Sequence, residues 1–149
     1  MPVRYAHTNI IAENWRELAN FYEEVLECVR LEPERNQTGE WLERGTGVPG
    51  AALEGVHLRL PGHGENGPTL EIYSYTAMLE KPEVMANRKG LGHLAFAVDD
   101  VEQTLEAVVA HGGRVLGETV TTAVPGAGRV TFVYATDPEG NILELQRWA

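Results

Sequence analysis

Gly92-His93-Leu94-Ala95-Phe96-Ala97-Val98-Asp99-Asp100 decides the reading of this chain. Leu94, Phe96 and Val98 alternate with His93, Ala95 and Ala97, a strand pattern that sets the histidine on the face opposite the apolar residues. Asp100 then offers a helix N-cap, with Gln103 completing the cap pattern. Val101, Leu105, Val108 and Val109 form an apolar stripe at helical spacing, and Gly112-Gly113 stops the helix.

The same order appears once before. Residues 4–11 read as a short strand carrying His7, and Asn14 caps a helix with Glu17 in the reciprocal position. Trp15, Leu18, Tyr22, Val25 and Leu26 make its stripe. Each cap stands at the same offset beyond its histidine, which argues for an internal repeat. Each half then turns to strands. Residues 55–60 and 69–75 flank a polar hairpin loop, and residues 130–135 and 142–147 flank the turn Asp137-Pro138-Glu139-Gly140-Asn141. Each module thus reads strand, helix, then about three strands. Module 1 covers about residues 3–76, a linker about 77–89 and module 2 about 90–149, within one domain across residues 1–149. Residues 32–54 form a Gly-rich insertion carrying Trp41, expected to be an irregular lid or binding loop.

The return strands carry Leu70-Glu71-Ile72 and Leu143-Glu144-Leu145. Parity places Glu71 with Thr69, Tyr73 and Tyr75, and Glu144 with Ile142 and Gln146. His7 shares its face with Tyr5 and Asn9. The apolar stripes opposite should bury against the helices, so these four residues point away from the helix layer. A carboxylate between apolar neighbours is costly to bury unless it is paired or metal-bound. His7, Glu71, His93 and Glu144 are therefore the candidate metal ligands. Two imidazoles and two carboxylates suit one divalent ion, Ni, Zn, Co, Mn or Fe. The competing reading makes the histidines satisfied core residues and pairs the glutamates with arginine. Asn9, Tyr73, Tyr75, Gln146 and Arg59 are candidate substrate-binding residues, with Arg59 and Arg129 as possible anion clamps. The direction of His57 is ambiguous, and His63 and His111 read as solvated.

Bulk properties narrow the partners. The chain has 149 residues, 43% hydrophobic and 23% charged, with net charge -10 and pI about 4.9. No Lys/Arg cluster exists, so nucleic acid is not an expected partner, nor is an anionic membrane. No apolar run is long enough to span a bilayer, and no basic-then-apolar leader opens the sequence; a cytoplasmic location is the expectation. The lone Cys28 excludes an internal disulfide and reads as apolar filler.

Four stretches, Ala6-His7-Thr8-Asn9, Asn20-Phe21-Tyr22-Glu23-Glu24-Val25-Leu26, residues 92–100 quoted above and Asp137-Pro138-Glu139-Gly140-Asn141-Ile142-Leu143-Glu144-Leu145, carry a resemblance to a known group. The chain resembles the vicinal oxygen chelate superfamily, which includes glyoxalase I, methylmalonyl-CoA epimerase, extradiol dioxygenases and bleomycin resistance proteins. The resemblance implies an α+β fold of two βαβββ modules forming a curved, cup-like mixed sheet with helices on the outer face. It also implies a divalent metal in the cup, a small-molecule substrate and a homodimer. The ligand set His, Glu, His, Glu looks most like that of glyoxalase I, where a proton next to a carbonyl moves through a metal-chelated enediolate and Glu144 or Glu71 would serve as base. Alternatives are an acyl-thioester epimerase, whose pattern generally has Gln where this chain has Glu71, an extradiol-type dioxygenase, and a drug-sequestering resistance protein. Glutathione-using glyoxalases typically carry Arg soon after the first His. This chain has Asn9-Ile10-Ile11 there, which leaves the thiol open.

Overall fold

The computed structural model describes residues 2–149, which separate into two compact units, one ending at Glu80 and the next opening at Lys81. The first unit contains β1 (His7–Ile11), α1 (Trp15–Leu26), β2 (Val29–Thr38), α2 (Glu40–Thr46), β3 (Ala52–Arg59) and β4 (Thr69–Tyr75). Its sheet runs β1-β4-β3-β2, with β1 parallel to β4 and the other pairs antiparallel.

Asn14 caps α1 as the sequence predicts, its side chain accepting from the Glu17 amide at 3.2 Å. The helix ends at Glu27, which adopts a left-handed conformation (φ 57), and the Cys28 amide closes back on the Tyr22 carbonyl. The buried side of α1, led by Trp15, Leu18 and Tyr22, packs on β3 and β4, where Val56, Leu58, Leu70 and Ile72 are fully buried. Burying side chains of this size contributes roughly 1.5–3 kcal/mol each. The period-two pattern therefore turns His57 and Glu71 to the other face of the sheet.

The second unit repeats this plan with β5 (Leu94–Ala97), α3 (Val101–Ala110), β6 (Arg114–Val115), β7 (Val120–Val124), β8 (Gly128–Thr136) and β9 (Ile142–Trp148). The sheet runs β5-β9-β8-β6, β7 also pairing with β8. Again the first and last strands are parallel and the rest antiparallel. Asp100 caps α3 by accepting from the Gln103 amide at 2.9 Å. Gly113 lets this end of the unit close up, since a Cβ there would lie 2.3 Å from the Thr136 carbonyl oxygen and 2.6 Å from Val108.

The β8–β9 turn is organised by Asp137, only 1% exposed. Its Oδ1 accepts from the Glu139 and Asn141 amides at 2.9 and 3.0 Å, and the Asn141 side-chain nitrogen donates to Oδ2 at 2.9 Å. Gly140 supplies the positive φ, 86°, that closes the turn. This turn sets the register that places Glu144 opposite Tyr134.

The α+β class and the doubled strand–helix–strands plan are as expected. The segment 32–54 is not. Its first part continues β2, which shifts register between Leu31 and Arg35, and its middle forms α2. Leu42 of α2 is buried with Ala51, Leu53 and Tyr73, so the segment is a docked helix and strand, not an irregular loop. The register shift has a counterpart in the second unit, where β6 and β7 are two pieces of an interrupted outer strand along β8. Among the described residues no helix is long and apolar enough to cross a membrane.

Candidate metal-binding faces

In the first unit the register places Asn9 and His57 on either side of Glu71, on the neighbouring strands β1 and β3. Glu71 is the centre of a polar cluster and its side chain is 12% exposed. Asn9 Nδ2 donates to Glu71 Oε1 at 2.8 Å, and His57 Nε2 stands 2.9 Å from Oε2. His7 Nε2 lies 3.6 Å from the same oxygen. His57 also has its Nε2 3.1 Å from the Tyr73 hydroxyl and its Nδ1 3.3 Å from Thr69 Oγ1. The contacts suit a neutral imidazole whose Nε2–H donates to the carboxylate while Nδ1 accepts from threonine. Burial holds the His57 pKa below the ordinary histidine value; Glu71 pulls the other way, and Arg35 and His7 add to the lowering. Burial first, and then the Glu71 carboxylate, push the Tyr73 hydroxyl well above the usual phenol range.

Gly55 makes this arrangement possible. It pairs with Tyr73, and a Cβ in its place would meet Tyr73 Cδ1 at 2.4 Å and the Ile72 carbonyl oxygen at 2.1 Å. Only hydrogen fits where the tyrosine ring lies against β3.

The second unit holds the matching pair. His93 stands just before β5, and its Nε2 lies 3.3 Å from Glu144 Oε2, the glutamate side chain being 17% exposed. The surroundings differ. Tyr134 occupies the cross-strand position that His57 has in the first unit, and its ring packs on His93 with centroids 4.7 Å apart. Ala95 replaces Asn9 beside the glutamate, and Gln146 replaces Tyr73. Gln146 Nε2 reaches Glu144 Oε2 at 3.4 Å, while the Trp148 indole N–H donates to the Gln146 side-chain oxygen.

Each glutamate is thus little exposed, lies beside an imidazole, and among the described residues forms no ion pair with Lys or Arg. A carboxylate so poorly hydrated gains most from a cation. Imidazole plus carboxylate is donor chemistry that fits a divalent transition ion. Among the described residues no group of three or more His, Cys, Asp or Glu side chains is placed to hold a metal ion; the closest approaches are those of His7 and His57 to Glu71 and of His93 to Glu144.

The other sequence-derived residues distribute as follows. Asn9, Tyr73 and Gln146 touch or adjoin the paired glutamates. Tyr75 packs against the Leu42–Ala51–Leu53–Tyr73 cluster. Arg59 lies opposite Thr69 and lines a shallow recess with Glu27, Val29 and Glu65, toward the hairpin end of the face. His57, whose direction the sequence left open, stands beside Glu71 in the first cluster. Parity with Arg59, against buried Val56 and Leu58, carried that signal.

Residues 4–145 match the family model of the Glyoxalase/Bleomycin resistance protein/Dioxygenase superfamily. The chain belongs to that superfamily. A glyoxalase family protein from Bacillus cereus shares its fold with a TM-score of 0.83 at 20% identity, covering 99% of this chain and 95% of that one. A glyoxalase I mutant from Zea mays matches with a TM-score of 0.61 at 19% identity, over 95% of this chain and 45% of that one. A probable chloroplastic lactoylglutathione lyase from Arabidopsis thaliana is 41% identical over 59 residues, 38% of this chain, and the match spans only 15% of that relative's length.

Proposed function

We propose that the protein is a metal-dependent, glyoxalase-like lyase or isomerase that moves a proton on the carbon next to a carbonyl. His7, Glu71, His93 and Glu144 are its metal ligands. One observation carries the reading: both units place a poorly hydrated glutamate within 3.6 Å of an imidazole at equivalent register positions. When bound, a divalent ion supplies Lewis-acid stabilisation of the oxyanion that develops as the proton leaves carbon.

The protein's own residues divide the remaining work unequally. Glu71 is held by Asn9 at 2.8 Å and His57 at 2.9 Å, with its carboxylate fixed between β1 and β3. Such outer partners orient a ligand and sustain its affinity for the ion. Apart from His93, Glu144 has one long contact, from Gln146 at 3.4 Å, and a tyrosine ring packs beside its histidine. It is the carboxylate freer to swing, and in this reading it takes the proton from the substrate carbon and returns it to the neighbouring one. Asn9, Tyr73, Tyr75, Gln146 and Arg59 border the substrate. The reading includes a homodimer, supported by the family resemblance, and a cytoplasmic location.

Elemental analysis of the purified protein, with Ni, Zn, Co, Mn and Fe offered in turn, tests the metal. One ion per chain is expected, and failure to take up any of them would sink the reading. Assay of hemithioacetals formed with several thiols then tests the reaction. A metal-loaded protein inert to all of them, yet binding drug-like ligands, would point to sequestration instead.

A further inference from the structure

Helix α2 sits on the ligand side of the first sheet. Leu53, Gly55 and His57 share one face of β3, and Tyr75, Tyr73 and Glu71 stand opposite them on β4. Leu42 is buried with Leu53 and Tyr73, so α2 covers this face while α1 covers the other.

Tyr73 belongs to two neighbourhoods. Its ring is buried in the apolar cluster with Leu42 and lies against Gly55, which leaves it room. Its hydroxyl stands 3.1 Å from His57 Nε2, the same nitrogen that lies 2.9 Å from Glu71 Oε2. Thr69 Oγ1 meets the other ring nitrogen at 3.3 Å. The imidazole is therefore oriented from three sides, and one of those supports is a tyrosine whose ring packs under α2. Tyrosine suits such a post, with an apolar body at one end and a polar tip at the other.

The seat of α2 is slight. The helix buries one side chain, Leu42, where α1 buries six. No side chain caps its N-terminus, and the chain enters through Gly39 (φ 117) and leaves through Gly47 and Gly50 (φ 74 and 69). Glycines with positive φ at both ends absorb the backbone rotation of a moving segment at little steric cost. Thr46 Oγ1 donates to the Leu42 carbonyl, and the Gly50 amide donates to the Glu43 carboxylate. Both bonds are internal to the segment and travel with it. An element seated by so little apolar burial opens locally before its sheet does.

We propose that Tyr73 is a positioning residue that couples the seating of α2 to the ion-binding geometry at Glu71. With α2 seated, the ring is fixed and the hydroxyl holds His57 against the glutamate. With α2 lifted, the ring gains freedom and that support is lost. Coupling between two equilibria is reciprocal, so a bound ion favours the seated helix as much as the seated helix favours the ion. The inference rests on the metal-dependent reading above, in which Glu71 is a ligand.

Hydrogen exchange of residues 39–50, followed by mass spectrometry without and with nickel, tests the coupling. Saturating nickel should slow exchange of this segment by about fivefold or more. Tyr73→Phe keeps the ring in the cluster and removes only the hydroxyl. Its metal-free exchange should match native protein, and the effect of nickel should vanish. Leu42→Ala, or Leu42→Val should the alanine variant not fold, should weaken nickel binding in the native background and leave it unchanged beside Tyr73→Phe. Exchange indifferent to nickel, or a slowing that survives Tyr73→Phe, overturns the coupling while the metal reading stands. If native protein takes up no nickel in equilibrium dialysis, the metal reading fails and the coupling falls with it.

Discussion

His57 Nε2 lies 2.9 Å from Glu71 Oε2, and the same cross-strand position beside Glu144 belongs to Tyr134. The repeat is therefore symmetric in its proposed ligands and asymmetric in what surrounds them. His57→Phe removes the donor while keeping a ring of similar shape. Loss of an outer partner of this kind costs 10–100-fold in metal affinity. Competition against a chelator of known strength should show a drop of that order with little change in the thermal midpoint. Unchanged affinity would reduce His57 to a packing residue.

Glu144→Gln separates holding from proton transfer. The amide oxygen can still meet the ion, but it cannot accept a proton near neutral pH. Turnover should fall by about 10²–10⁴-fold while metal is retained. The equivalent change at Glu71 should weaken metal retention more than it weakens turnover per bound ion. If Glu71→Gln proves the slower of the two at full metal occupancy, the roles are reversed.

His7→Ala and His93→Ala each remove one imidazole from a sheet face without touching the packing beneath α1 or α3. Metal uptake should be lost in both, with far-ultraviolet dichroism and cooperative unfolding preserved. Unfolding of both variants would instead make the histidines structural.

Asp137→Ala tests the β8–β9 turn. Its buried carboxylate accepts from two backbone amides and from Asn141. Hydrogen bonds to a charged acceptor contribute about 1.5–3 kcal/mol each, and the freed amides remain near the surface where water can replace part of that. A loss of about 3 kcal/mol is expected by urea denaturation. The register at Glu144 depends on this turn, so metal affinity should fall as well.

Cys28 gives the pH test. Burial, and then Glu23, push its thiol from 9.0 up to about 12. The folded chain keeps the proton where the unfolded chain has released it. This contribution is fully present below pH 9 and is lost as pH rises toward 12, at about 1.4 kcal/mol per unit. Between pH 8 and 10.5 the native protein should lose stability relative to Cys28→Ala, and thiol alkylation at pH 8 should require unfolding. A constant stability difference across that range would show that the thiol titrates alike in both states.

Much of this is legible in the amino-acid sequence. The caps at Asn14 and Asp100, and the alternation around Glu71 and Glu144, rest on local chemistry that one stretch of chain displays in full. The edge strand β2 is not. Its sequence contains Pro33 and two glutamates without apolar alternation, because a register shift breaks the expected period. Helix α2 escaped for a related reason: with Leu42 as its one buried side chain it has no stripe to reveal it. His57 and Arg35 depend on which residue stands across from which, and a single strand does not state its partner's register.

The break in β2 and the gap between β6 and β7 both fall on strands at the margin of their own sheet. An unbroken margin presents a continuous row of amides and carbonyls on which a foreign strand can template itself. Here each row is cut, in the first sheet beside a proline that has no amide to offer. The irregularity that brings Arg35 opposite Gly55 thus also works against runaway self-association of the sheet.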